Sequence, residues 1–122
     1  MGEKEEGERE LDEREEILQG NFEEYYNQGI ESLKREKYNS AATLFFKAMA
    51  ALCDLFILKK EGFVPKSHSE RFRVLEKKYP EIYEIVDTDF SFYQDSYTKK
   101  IDKETAELLK DDIGRIKEKA EI

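Results

Sequence analysis

The sequence predicts an all-α fold, an up-and-down four-helix bundle with one extra short helix. Apolar residues recur at spacings of three and four along most of the chain, and no segment shows the strict alternation of a strand. The breaks between these segments are short and carry capping residues, glycine or proline. We expect an acidic, disordered or frayed tail over residues 1–10 and a single helical domain over residues 11–122.

The first two helices follow from this periodicity. The first is expected from Leu11 onward, with a stripe formed by Leu18, Phe22, Tyr25, Gly29 and Leu33. The turn that follows carries Asn39 and Ser40, either of which is a typical N-cap. The second helix is therefore expected from about Ala41 to Lys60.

This second helix is apolar over most of its circumference. Between Ala41 and Leu58 only Thr43, Lys47 and Asp54 are polar. A small bundle does not bury so wide an apolar surface, which predicts contact with a second copy of the chain or with another protein. The expected homodimer interface consists of Phe45, Met49, Leu52 and Phe56.

The polar residues of the second helix allow two interpretations. Lys47 and Asp54 form either a solvated stripe or ion pairs across the dimer or with other helices. Two charges within 18 residues argue against a membrane span.

The later helices are marked by their ends. Gly62 ends the second helix, and Ser67 with Glu70 forms a capping-box pattern that opens a short third helix at His68. Pro80 suits the first turn of a fourth helix, in which the sequence Asp-Thr-Asp at 87–89 is a candidate break. Asp102 is the expected cap of the last helix.

Composition and charge restrict the function. The net charge of −8 opposes nonspecific binding to nucleic acid. The single cysteine, Cys53, cannot form an internal disulfide, and the N-terminus has no apolar signal core, so a cytoplasmic location is expected. The abundance of Glu and Lys is typical of thermophile proteins.

The basic segment at residues 59–78 is an exception to the acidic character. It carries seven bases and three acids, and it contains His68, the only histidine. A solvated face is the plain interpretation of such a run. Anion recognition is the alternative, since the N–H groups of a helix N-terminus attract anions. The residues expected to bind an anion are Lys60, Lys66, His68 and Arg71.

His68 has three interpretations. It is a packed, hydrogen-bonded histidine at the edge of the core, an anion ligand, or a neutral general base. One histidine and one cysteine do not form a usual zinc site, and no EF-hand, P-loop or GxGxxG pattern is present. No metal or cofactor is therefore expected. Tyr93 and Tyr97 share a helix face suited to core packing or, alternatively, to base stacking.

The middle of the chain, SAATLFFKAMAALCDLFILKKEGFVPKSHSERFRVLEKKYPE, resembles a HEPN domain (higher eukaryotes and prokaryotes nucleotide-binding domain). A long alanine-rich apolar helix precedes a short loop with glycine and proline, and a histidine opens the next short helix. The later segment FSFYQDSYTKK also fits this pattern, and the resemblance covers roughly residues 20–118.

The resemblance implies a helical bundle that commonly forms homodimers and often acts beside a minimal nucleotidyltransferase. Some members are metal-independent endoribonucleases that carry an arginine, four to six intervening residues and a histidine. Counting back from His68, the arginine positions hold Glu61, Gly62 and Phe63. The ribonuclease motif is therefore incomplete, and Lys60 or Arg71 would have to replace its arginine.

Three functions stay open at this point. The first is a HEPN-type module that binds a nucleotide or other substrate together with a nucleotidyltransferase partner. The second is a toxin-like endoribonuclease that uses His68 and also acts on RNA without a metal. The third is a structural interaction protein without a small ligand.

Overall fold

The computed structural model describes the chain from residue 2 onward, with side chains from residue 13. It contains five α-helices and, within these residues, no strand. The predicted all-helical bundle is therefore confirmed, whereas the predicted tail at residues 1–10 lies outside the residues whose side chains are described. The helices are α1 (Gly2–Lys34), α2 (Tyr38–Glu61), α3 (His68–Lys78), α4 (Pro80–Asp95) and α5 (Lys103–Ala120).

The predicted capping residues fix most of the helix ends. Ser67 Oγ accepts a hydrogen bond from the Glu70 amide at 3.1 Å, and the Asp102 carboxylate accepts one from the Thr105 amide at 2.8 Å. Gly62 ends α2 with φ of 85°, a left-handed conformation that glycine adopts without strain. Pro80 is the first residue of α4, and this helix continues through residues 87–89 without the expected break.

Asn39 is a clamp and not the N-cap of α2. The helix begins one residue earlier, at Tyr38. The side-chain amide of Asn39 donates to the carbonyls of Ser96 and Lys99 at 2.9 and 2.7 Å, and its oxygen accepts from the Ile101 amide at 2.9 Å. Asn39 thus holds the connection between α4 and α5 against the start of α2.

Helix α2 forms the centre of the bundle and contacts the other four helices. The expectation that one bundle cannot bury it is wrong, because residues Ala48–Leu58 are all buried within the single chain. The proposed dimer residues Phe45, Met49, Leu52 and Phe56 are each at most 4% exposed. They belong to the monomer core, so they do not offer a surface to a second copy.

The same helix is long and apolar enough to cross a bilayer, and it is the one such helix in the described part of the chain. Its most apolar window is 83% buried inside the protein. Core helices commonly pass this test of length and composition, so α2 is only weak support for a membrane span.

The packing of α1 on α2 depends on a close approach at Gly29. A Cβ atom placed at Gly29 would lie 2.7 Å from the ring of Phe45, which is fully buried. A Cβ atom at Gly20, on the same helix, would contact nothing within 4 Å. The two glycines therefore differ in packing although both are helical.

Replacing each glycine with alanine is expected to shift stability in opposite directions. Gly29→Ala overpacks the ring of Phe45 and should lower the free energy of unfolding by about 1–3 kcal/mol. Gly20→Ala should raise it by about 0.5–1 kcal/mol, because alanine is the better helix former. Urea denaturation of both variants measures the difference, and equal effects at the two positions would contradict the close approach at Gly29.

Candidate functional site

A buried ion pair connects α2 to α3. Arg71 Nε donates to Asp54 Oδ1 at 2.8 Å, and Arg71 Nη2 donates to Asp54 Oδ2 at 2.9 Å. Both residues are 8% exposed. Two parallel hydrogen bonds match the planar guanidinium to the carboxylate, and this fixes the orientation of the arginine.

The same guanidinium also contacts His68. Arg71 Nη1 lies 2.6 Å from His68 Nδ1, and the two residues are three positions apart on α3. Because Asp54 holds the other edge of the guanidinium, the three side chains form one row, which we call the Asp54–Arg71–His68 relay. His68 stands at its outer end and is exposed on one side.

The relay determines which nitrogen of His68 carries the proton. A guanidinium only donates hydrogen bonds, so Nδ1 of His68 must be the acceptor. Partial burial lowers the pKa of His68, the charge of Arg71 lowers it further, and Asp54 opposes these effects. At pH 7 the imidazole is therefore neutral with its proton on Nε2, and Nε2 is a hydrogen-bond donor.

Aromatic rings surround His68. The ring centroid of His68 is 6.3 Å from that of Phe46 and 5.8 Å from that of Phe90. Tyr93 stacks on Phe46 at 4.8 Å, and its hydroxyl lies 2.8 Å from that of Tyr97. These rings hold the imidazole in place and give the site an apolar wall.

An open cavity of about 370 Å³ lies against the relay. Helices α1, α2, α3 and α4 all contribute to it. Lys47 is exposed there, with its ammonium group 5.9 Å from the centre of the Tyr25 ring. The lining residues are Leu18, Asn21, Tyr25, Phe46, Lys47, Ala50, Ala51, Asp54, His68, Arg71 and Tyr93.

The structure brings together only two of the four residues expected to bind an anion. His68 and Arg71 line the cavity, whereas Lys60 and Lys66 are exposed and do not line it. Arg71 is not an available cation, since Asp54 neutralises it. The solvated-stripe interpretation of Asp54 is wrong, and its pairing with another helix is correct.

Sequence reasoning missed Tyr25, Phe46 and Lys47 as neighbours of His68. Tyr25 and Phe46 have the spacing of ordinary core positions, and the fact that α1 and α3 line one cavity is not encoded in either helix alone. The sequence did hold one signal for the ion pair. Asp54 is the one acidic residue between Ala41 and Leu58, and an acid inside such an apolar stretch requires a buried partner.

Cys53 adjoins the ion pair but offers no nucleophile. It is fully buried, and burial is the main cause that raises its pKa to about 12. Its thiol is therefore protonated at neutral pH and acts as a small apolar group. Among the residues that the structure describes, no group of three or more His, Cys, Asp or Glu side chains is placed to hold a metal ion.

No protein-family model, curated protein or solved structure matches the chain.

Proposed function

We propose that the protein is a HEPN-type binding module that takes a nucleotide or similar anionic aromatic ligand in the cavity beside His68. The observation that carries this proposal is the 2.6 Å contact between Arg71 Nη1 and His68 Nδ1. It leaves Nε2–H as the free group of the imidazole, which can donate to an anion and cannot accept a proton.

The chemistry of the cavity suits such a ligand. Lys47 provides a positive charge, and His68 Nε2–H provides a neutral donor in the same lining. Tyr25 and Tyr93 add ring faces on which a planar base can stack, and base–aromatic stacking contributes about 1–3 kcal/mol per base. A ligand with a phosphate and a planar ring would use both kinds of group.

The proposed partner protein and the proposed cellular location both rest on the sequence resemblance. A HEPN-type module of this kind acts beside a minimal nucleotidyltransferase, supplied as a separate chain, in the cytoplasm. The bundle and its mainly buried α2 are compatible with that role. Homodimer formation stays a prediction, and its surface would have to differ from the four core residues first expected.

The second candidate, a metal-independent endoribonuclease, is favoured by the proximity of Arg71 to His68. The geometry assigns Arg71 a different task, however, because three of its N–H groups already bind Asp54 and His68. A general base requires an unprotonated nitrogen toward the substrate, and Nε2 holds the proton. Binding is therefore the better supported function.

Ligand titration tests the proposal. Calorimetry is used to screen the monophosphates and triphosphates of adenosine and uridine. We expect at least one of them to bind the folded wild type. Lys47→Ala and His68→Ala should each weaken that binding by about tenfold or more, since a hydrogen bond to a charged group contributes about 1.5–3 kcal/mol. His68→Gln retains an N–H donor and should recover part of the affinity, and Lys103→Ala, on α5, is the matched control.

A cleavage assay in excess chelator separates the two candidates. The binding module predicts that RNA stays intact with wild type and with His68→Ala. Cleavage by wild type that stops in both His68→Ala and His68→Gln would overturn the binding proposal and establish the nuclease. Absence of both cleavage and nucleotide binding would support the structural interaction protein.

A further inference from the structure

A second buried polar group lies outside the cavity, at Asp89 on α4. Its side chain is 0% exposed. Neither carboxyl oxygen accepts a hydrogen bond from a donor group within the part of the chain whose side chains are described. An isolated carboxylate is very costly in such a place, so the group avoids ionisation by holding a proton.

The neighbour that interacts with Asp89 is Asp112 of α5, which is 4% exposed. Asp112 accepts a hydrogen bond from Arg115 Nη1 at 2.8 Å. The Arg115 side chain is 58% exposed, whereas the Asp112 side chain that it binds is 5% exposed. Burial of Asp89, followed by its interaction with Asp112, raises the pKa of Asp89 to about 9, and Arg115 opposes this.

The buried charged side chains of α2 and α3, which also pack against α4, are paired with each other, because Asp54 of α2 binds Arg71 of α3. Lys47 of α2 is exposed, with its ammonium group over the Tyr25 ring. On α4 itself, Asp87 is exposed. The carboxyl pair of Asp89 and Asp112 is therefore a buried polar contact between α4 and α5. A second polar contact between these helices, from Lys119 to Glu81, lies at the surface.

We propose that Asp89 and Asp112 share one proton in the folded protein, and that this pair clamps the α4 wall of the cavity to α5. The link to the cavity is short. Phe90 follows Asp89 in sequence and its ring lies 5.8 Å from the His68 ring. Loss of the shared proton places two adjacent carboxylates in the core and forces α4 to move or admit water.

The proton pair gives stability a defined pH dependence. Asp89 holds its proton to about pH 9 in the folded protein, whereas its ordinary value in the unfolded chain is 3.8. Between these values the folded state binds one more proton, so the stability from this pair is lost as pH rises. From pH 6 to 8 the unfolding equilibrium constant should increase about tenfold per pH unit relative to Asp89→Asn, which resembles the protonated acid.

Three measurements test the pair. Infrared spectroscopy of the wild type at pH 7 should show the carbonyl stretch of a protonated carboxylic acid, and Asp89→Asn should lack it. Denaturation from pH 6 to 8 should show the pH slope in wild type and in the control Asp87→Asn, but not in Asp89→Asn. The ring resonances of His68, the only histidine, should move between about pH 8 and 10 in wild type and stay constant in Asp89→Asn.

Each measurement has an outcome against the proposal. If wild type lacks the acid band at pH 7, Asp89 is ionised and no proton is shared, even where Asp89→Asn fails to fold. If the stability of wild type and of Asp89→Asn changes equally with pH between 6 and 8, Asp89 again holds no proton in the folded protein. Alkaline shifts of His68 that persist in Asp89→Asn would show that the pair does not act on the cavity.

Discussion

Replacing Arg71 with methionine is expected to lower the free energy of unfolding by about 3–5 kcal/mol. The variant leaves the Asp54 carboxylate in a site where it is 8% exposed and has lost both of its hydrogen bonds from the guanidinium. A buried charge without its partner is among the most destabilising changes in a protein core. Urea denaturation measures the loss, and Arg73→Met, at an exposed position of the same helix, is the control.

The double variant Asp54→Leu/Arg71→Met separates charge from packing. It removes both charges, and replacing a buried ion pair with apolar residues is often neutral or stabilising. We therefore expect it to recover most of the stability lost in Arg71→Met. If the double variant is as unstable as the single one, lost packing of the arginine is the cause and not an unpaired Asp54.

The double variant also tests whether the Asp54–Arg71–His68 relay contributes to nucleotide binding. Without the guanidinium at Nδ1, His68 is free to carry its proton on either nitrogen. Nucleotide binding should therefore weaken in a stable, folded protein. A stable double variant that binds as tightly as wild type would mean that the relay contributes only to folding.

The fold was predictable because its determinants are local. The three-and-four spacing of apolar residues, the caps at Ser67 and Asp102, and Gly62 each act within a few residues of one helix. Asn39 shows the limit of this reasoning. Asn39 is a typical capping residue beside a helix start, but its side chain instead forms hydrogen bonds with a loop about sixty residues later. Only the folded chain brings this loop near Asn39.

The candidate site was predictable only in part. His68 was identified because it is the only histidine and opens a helix. Its partnership with Asp54 depends on how α2 and α3 are rotated against each other, which helix periodicity alone does not determine. Asp89 belongs to the polar run Asp-Thr-Asp at 87–89, which the sequence marks as a candidate helix break. Its burial results from the contact of α4 with other helices.

The proposed dimer surface failed for a related reason. The apolar circumference of α2 correctly indicated burial on several sides, but it does not tell whether the covering helices come from the same chain. Here all four remaining helices cover it. The same residues therefore offer a direct experiment on the difference between a core and an interface.

Replacing Phe45 with alanine is expected to lower the free energy of unfolding by about 3–5 kcal/mol, the usual cost of removing a large buried ring. Phe45 is 0% exposed, packs against the backbone of Gly29 and lies 5.8 Å from the Tyr26 ring. Urea denaturation at two protein concentrations measures the loss, which should not depend on concentration. Ile17→Ala, at a 62% exposed position of α1, should change stability by no more than about 0.5 kcal/mol.

The concentration dependence distinguishes core from interface. A residue between two copies affects their association, so its removal would act through the protein concentration, whereas a core residue destabilises each chain alone. If Phe45→Ala changes the mass measured by light scattering while each chain keeps its stability, Phe45 lies between copies and the packing of α1 on α2 is incorrect. If only the chain is destabilised, any dimer of this protein must form through a surface that does not include Phe45.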